Sequence, residues 1–108
     1  MAQDFERNIA RNIGVSAVTI FTADSDDAVV GINLANVTAS QINVSVFVTN
    51  SGDDYYLVKN APIPASSALQ VLDGGAKFVL QSGDALKVQS SVAASIDAWI
   101  SRVDTISA

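Results

Sequence analysis

The sequence contains no cysteine and no histidine. Together those absences remove thiolate and imidazole chemistry: no Cys/His zinc site, no cysteine nucleophile, no histidine general base and no disulfide framework. An enzyme would have to work with Asp, Lys or Tyr, beside a single glutamate, Glu6. Basic residues are few, six against eleven acids, which leaves a net charge of −5 and an isoelectric point near 4.2. Nucleic-acid affinity comes mainly from Lys and Arg neutralising phosphates, so no nucleic-acid partner is expected. No apolar run approaches the roughly 18 residues of a membrane span. The start, Met1-Ala2-Gln3-Asp4, lacks the basic and apolar regions of a cleavable signal. The expectation is a soluble protein with no membrane partner and no such signal.

What is present is aliphatic and β-branched. The 108 residues are 49% apolar, enough for one domain with one core. Val and Ile number 23 against 6 Leu, and their stiff side chains suit a pleated surface better than a helix. Ile42, Val44, Val46 and Val48 alternate with Asn43, Ser45, Phe47 and Thr49, the clearest strand in the chain. Val30, Ile32 and Leu34, and later Leu86 and Val88, alternate in the same way. The pattern predicts eight strands near 17–23, 28–37, 41–49, 54–60, 67–72, 76–81, 85–90 and 95–106. Turn residues at 38–40, 50–53, 73–75 and 82–84 read as hairpin loops between them. Pro62 and Pro64 lack ladder donors, so residues 61–65 read as a crossover between sheets. An all-β fold follows, a single antiparallel β-sandwich of jelly-roll or Ig type over residues 15–108, with a small β-barrel as the alternative. Its expected core is Ile32, Leu34, Val44, Val46, Leu57, Phe78, Leu80, Val88 and Ile100.

Residues 1–14 differ from the rest. They hold two of the three arginines, the only glutamate, and a tandem Arg7-Asn8-Ile9-Ala10, Arg11-Asn12-Ile13-Gly14. As a helix, Phe5, Ile9 and Ile13 would form a stripe; as a strand, Phe5, Arg7, Ile9, Arg11 and Ile13 would share a face. Both a terminal strand of the same domain and an arm docking on a neighbouring subunit are open at this point.

Sites for chemistry are sparse. Asp24-Ser25-Asp26-Asp27 clusters carboxylates but lacks the spacing, glycine and terminal glutamate of a calcium loop, and reads as a solvated turn. Asp73-Gly74-Gly75-Ala76-Lys77 lacks the P-loop spacing and reads as a hairpin. Thirteen serines come with no Gly-x-Ser-x-Gly or Ser-x-x-Lys motif. Asp97 and Asp104 fall about 23 Å apart along one strand and do not converge. The sequons at Asn36 and Asn43 read as chance matches in an Asn- and Ser-rich chain. No catalytic, metal or cofactor site is assigned. More telling are large apolar residues on faces expected to meet water: Phe47, Val79 and Trp99. With the N-terminal residues Phe5, Arg7, Ile9, Arg11 and Ile13, they are the candidate partner-binding set.

From Tyr55 onward the chain has a recognisable cadence. Tyr55-Tyr56-Leu57-Val58-Lys59-Asn60 is followed by Pro62-Ile63-Pro64-Ala65-Ser66-Ser67-Ala68-Leu69-Gln70-Val71-Leu72-Asp73. Then comes Phe78-Val79-Leu80-Gln81-Ser82-Gly83-Asp84-Ala85-Leu86-Lys87-Val88. This resembles the small β-structured virion proteins of tailed bacteriophages. The resemblance implies a non-enzymatic structural protein of the virion, assembled in the host cytoplasm. It implies a capsid decoration or cement protein bound to the major capsid protein, or else a neck, tail or baseplate component. It implies a homo-oligomer, with a trimer expected from local three-fold positions, and carries over no site residue. A competing reading is a carbohydrate-binding sandwich using Trp99, Tyr55 and Tyr56 as platforms.

Overall fold

The alternating β-branched segments extend as strands in the computed structural model, which describes residues 4–71 and 77–104. Nine strands form: β1 (Asp4–Ile13), β2 (Val18–Thr22), β3 (Asp27–Asn36), β4 (Ile42–Asn50), β5 (Asp53–Ile63), β6 (Ala68–Gln70), β7 (Phe78–Leu80), β8 (Ala85–Ser90) and β9 (Ile96–Asp104). No helix occurs among the described residues.

The pairings nest about the middle of the chain. Ser51 and Gly52 both take positive φ, 53° and 84°, as a two-residue hairpin of the I′ kind requires. Outward from Asn50↔Asp53, β4 pairs β5, β3 pairs β6 and β7, β2 pairs β8, and β1 pairs β9 as far as Asp4↔Asp104, all antiparallel. This folded ribbon is then rolled so that β3 also pairs β9 and β4 also pairs β8. One sheet runs β1-β9-β3-β6 with β7 further along β3, and the other runs β2-β8-β4-β5. That wiring is a jelly-roll sandwich. The two sheets are packed face to face and do not close into a barrel.

The core lies between them. Ile32, Leu34, Val44, Val46, Val88 and Ile100 are fully buried, Leu80 is buried, and Leu57 and Phe78 pack against the cluster from its margin. These are the nine residues expected in the core, on the inward faces of their strands.

Several expectations change. The reversals at 38–40 and 82–84 carry the chain between sheets rather than closing hairpins; only the one at 50–53 joins sheet neighbours. Pro62 lies inside β5, opposite Asn43, because β5 is an edge strand whose outer side requires no donor. The crossover begins at Pro64 instead. The turn at 73–75 and the end of the last expected strand fall outside the described residues.

Residues 4–13 form a strand of the domain's own first sheet, paired along β9. Its even pattern breaks at a register shift between Ala10 and Ile13, where Asn12 takes φ 56° and its N–H donates to Asp97 Oδ1 at 3.1 Å. The bulge turns Ile13 inward. At 1% exposure Ile13 belongs to the core, which corrects its place in the partner-binding set.

Four loops close the end of the sandwich where β1 finishes and β9 begins. They are joined by Val37 N→Ser95 O, Ser95 N→Ile13 O, Ser90 N→Gly14 O and Ser66 N→Thr38 O. Asn36 anchors them from inside. Its Nδ2 donates to the carbonyls of Ser40, Ile63 and Pro64 at 2.8–3.1 Å, and its Oδ1 accepts from Thr38 N and Oγ1. The Asn-x-Thr pattern is therefore a turn device, with its amide buried and committed.

Two outcomes follow. Asn36→Ala removes the donor shared by these three carbonyls, the buried Ile63 O among them, and the acceptor of Thr38, and should cost about 2–3 kcal/mol in urea unfolding. Deleting residues 1–13 removes Ile13 from the core and uncovers β9, so the melting temperature should fall sharply; an unchanged melt would mean that β1 contributes nothing to the domain.

Candidate interaction surface and the ion cluster beneath it

The two faces of the first sheet differ in kind. Alternation along β1 sends Phe5, Arg7, Ile9 and Arg11 outward, and along β9 it sends Trp99 and Asp97 the same way. Register then builds rungs across the sheet. Phe5 pairs Val103, which pairs Ala28, which pairs Val79; Ile9 pairs Trp99, which pairs Asn33, which pairs Gln70. Phe5 is 85% exposed, Val79 58%, Ile9 53% and Trp99 50%. Residues scattered through the sequence thus collect on one outer face. The Arg7 guanidinium carbon lies 5.2 Å from the Trp99 ring centroid, a cation–π distance. Beside it, Ile9, Ala10, Arg11, Asp97, Ala98 and Trp99 line a groove of about 430 Å³.

Phe47 does not join them. It points away from the core as alternation requires, but on the outside of the second sheet, and it is only 4% exposed. Tyr56, directly opposite on β5, covers it with ring centroids 4.9 Å apart, and Lys59 sits 4.8 Å from the Tyr56 ring. The chain covers this ring itself, which corrects its assignment as exposed partner surface. The three aromatics weighed as a glycan platform are divided as well, Trp99 on the first sheet and Tyr55 and Tyr56 on the second.

All four sheet edges are guarded. On β1, Glu6 points inward and Arg7 and Arg11 outward, ahead of the Asn12 bulge. Strand β5 carries Pro62 and two register shifts opposite β4, β2 has five residues and a shift of its own, and β6 and β7 have three residues each. Charges, prolines, bulges and short edges all discourage strand addition.

Beneath the outer face, at the end where β9 finishes, lies a feature that local sequence reading missed. Arg102 Nη1 is 2.9 Å from Asp27 Oδ2 and 3.5 Å from Asp104 Oδ1, Nη2 is 2.7 Å from Glu6 Oε1, and Nε donates to Asn8 Oδ1 at 2.8 Å. Its guanidinium carbon is 4.5 Å from the ring of Phe21, which belongs to the other sheet. One side chain therefore ties β1, β3 and β9 together and stacks on β2. Asp27 is wholly buried, so the stretch 24–27 is not a solvated turn throughout. The signal was present in the alternation, since Ile96, Ala98 and Ile100 point inward and Arg102 is next in phase. Carboxylate oxygens of Asp24, Asp27 and Asp104 lie within 4.8 Å of one another, and the Ser25 hydroxyl is 3.4 Å from each. Arg102 contacts two of these three acids and is the cation around which the cluster is arranged.

No family model matches the chain, and no curated protein matches it. Among solved structures, its fold is similar to that of a protein from Bacillus endospore appendages, described as disulfide-linked pili. That match has 16% identity and a TM-score of 0.52, and covers 94% of this chain and 84% of that one. It is similar also to a pentameric capsid protein isolated from metagenomic phage sequences. Here identity is 19% and the TM-score 0.52, over 94% of this chain and 62% of that one. At these identities the likeness is one of fold. With no cysteine among its 108 residues, this chain has no counterpart to the disulfide linkage of the pili.

Arg102→Met should destabilise by about 3–5 kcal/mol in urea unfolding, because Asp27 is left buried without its cation. Adding Asp27→Asn should recover a substantial part of that loss, and a double variant no better than the single would refute the pairing as the cause.

Proposed function

We propose that this chain is a structural protein of a virion, specifically a phage capsid decoration or cement protein, with no enzymatic role. The observation that carries the reading is the outer face of the first sheet. A rigid jelly roll with guarded edges gathers Phe5, Ile9, Val79 and Trp99 on one side, as a surface meant to be covered by a partner does. Fold likeness to a pentameric phage capsid protein and to a pilus protein supports assembly as the theme. The cadence from Tyr55 to Val88 supports the phage side of it. In this reading the partners are the major capsid protein and further copies of the chain, and the location is the particle.

Quantitative mass spectrometry of purified particles tests the reading through copy number. Hundreds of copies per particle support a decoration role. Tens or fewer would overturn it in favour of a neck, tail or baseplate component, and absence from particles would overturn the virion reading itself.

A further inference from the structure

The formal charges are sorted in space. The loops at the Asn36 end, residues 14–17, 37–41, 64–67 and 91–94, carry none. At the opposite end, Asp24, Asp26, Asp53, Asp54 and Asp84 lie in or beside three loops. Those loops are joined by Ala23 N→Asp84 O, Gly83 N→Ala23 O and a hydrogen bond from Asn50 Nδ2 to Asp84 Oδ1. Arg7 and Arg11 stand apart from all of these, on the outer face of the first sheet, and neither forms a salt bridge among the described residues.

We propose that the groove lined by Arg11 and Trp99, with Arg7 beside it over the Trp99 ring, receives the β4–β5 hairpin tip of a second copy, Asp53, Asp54 and Tyr55. This deepens the structural reading and rests on it only for the biological setting. The tip offers a carboxylate at Asp53 with the exposed ring of Tyr55 on the same face, and a second carboxylate at Asp54 on the other face of the strand, where it accepts from Thr49 Oγ1 at 2.7 Å. The alternatives fit less well. Face-to-face packing would oppose Arg7 and Arg11 of both copies, with one carboxylate, that of Asp97 in the groove wall, for the two guanidinium groups of each copy. Seating the uncharged end in the groove would bury both arginines unpaired. Addition along an edge meets the guards on every edge strand. The favoured contact joins different surfaces on the two copies, so it is heterologous and propagates into a ring or a filament.

The test uses the full chain in solution, where self-association is read independently of any particle. Trp99 is the only tryptophan and is half exposed in the groove, so its emission reports directly on cover. At 0.1 M salt, sedimentation should show species heavier than 11.2 kDa as concentration rises, with a blue shift of Trp99 emission. Both should reverse at 1 M salt, where the screening length drops from about 10 Å to about 3 Å. Arg7→Glu with Arg11→Glu, and separately Asp53→Arg with Asp54→Arg, should each weaken association about tenfold or more while keeping the wild-type melt. Mixing the two variants should restore it. If charge reversal disturbs folding, Arg7→Gln with Arg11→Gln must show the same loss. A wild-type chain that stays monomeric, an association indifferent to these residues or to Trp99 cover, or a folded mixture that fails to recover would each overturn the proposal. None of those results would bear on whether the chain is found in particles.

Discussion

Antiparallel pairing about a single midpoint is the constraint on which the rest depends. Once Ser51 and Gly52 reverse the chain, each strand on the N-terminal side finds its partner on the C-terminal side, β3 taking both β6 and β7, out to Asp4↔Asp104. A flat ribbon of that length would leave its aliphatic face in water. Rolling it lets β3 meet β9 and β4 meet β8, which brings the aliphatic faces of the two sheets together. The short β6 and β7 are both accommodated along the same side of β3.

The two ends of the roll are closed by different chemistry. At one, Asn36 and a set of backbone hydrogen bonds join uncharged loops. At the other, Arg102 holds Glu6, Asp27 and Asp104 and stacks on Phe21 across the sheets. A partly buried ion cluster of this kind adds little net stability over an apolar filling, yet losing its cation is costly because Asp27 stays buried. The same end carries most of the remaining carboxylates, so acidity is concentrated there and the molecule is electrically lopsided.

In the proposed role, function belongs to surfaces. With its edges guarded, the first sheet leaves a broad apolar area exposed on its outer face, and Arg7 over Trp99 gives it a charge as well as a shape. The second sheet treats its outward ring differently, covering Phe47 with Tyr56 of the same chain, over which Lys59 sits.

How much of this was legible depends on the range of the interaction involved. Alternation is local, so the sequence by itself determined that the chain is β, which residues of β3, β4, β8 and β9 face the core, and that Trp99 does not. The same period puts Arg102 inward, one step in phase beyond Ile100. Strand partners are another matter: a period of two says which face is buried and nothing about which neighbour supplies the next hydrogen bond. Tertiary structure alone decided that the reversals at 38–40 and 82–84 cross between sheets, and that Phe5, Ile9, Val79 and Trp99 share one face. It decided too that a bulge pinned by Asp97 sends Ile13 into the core, because the carboxylate fixing that bulge lies 85 residues along the chain from Asn12.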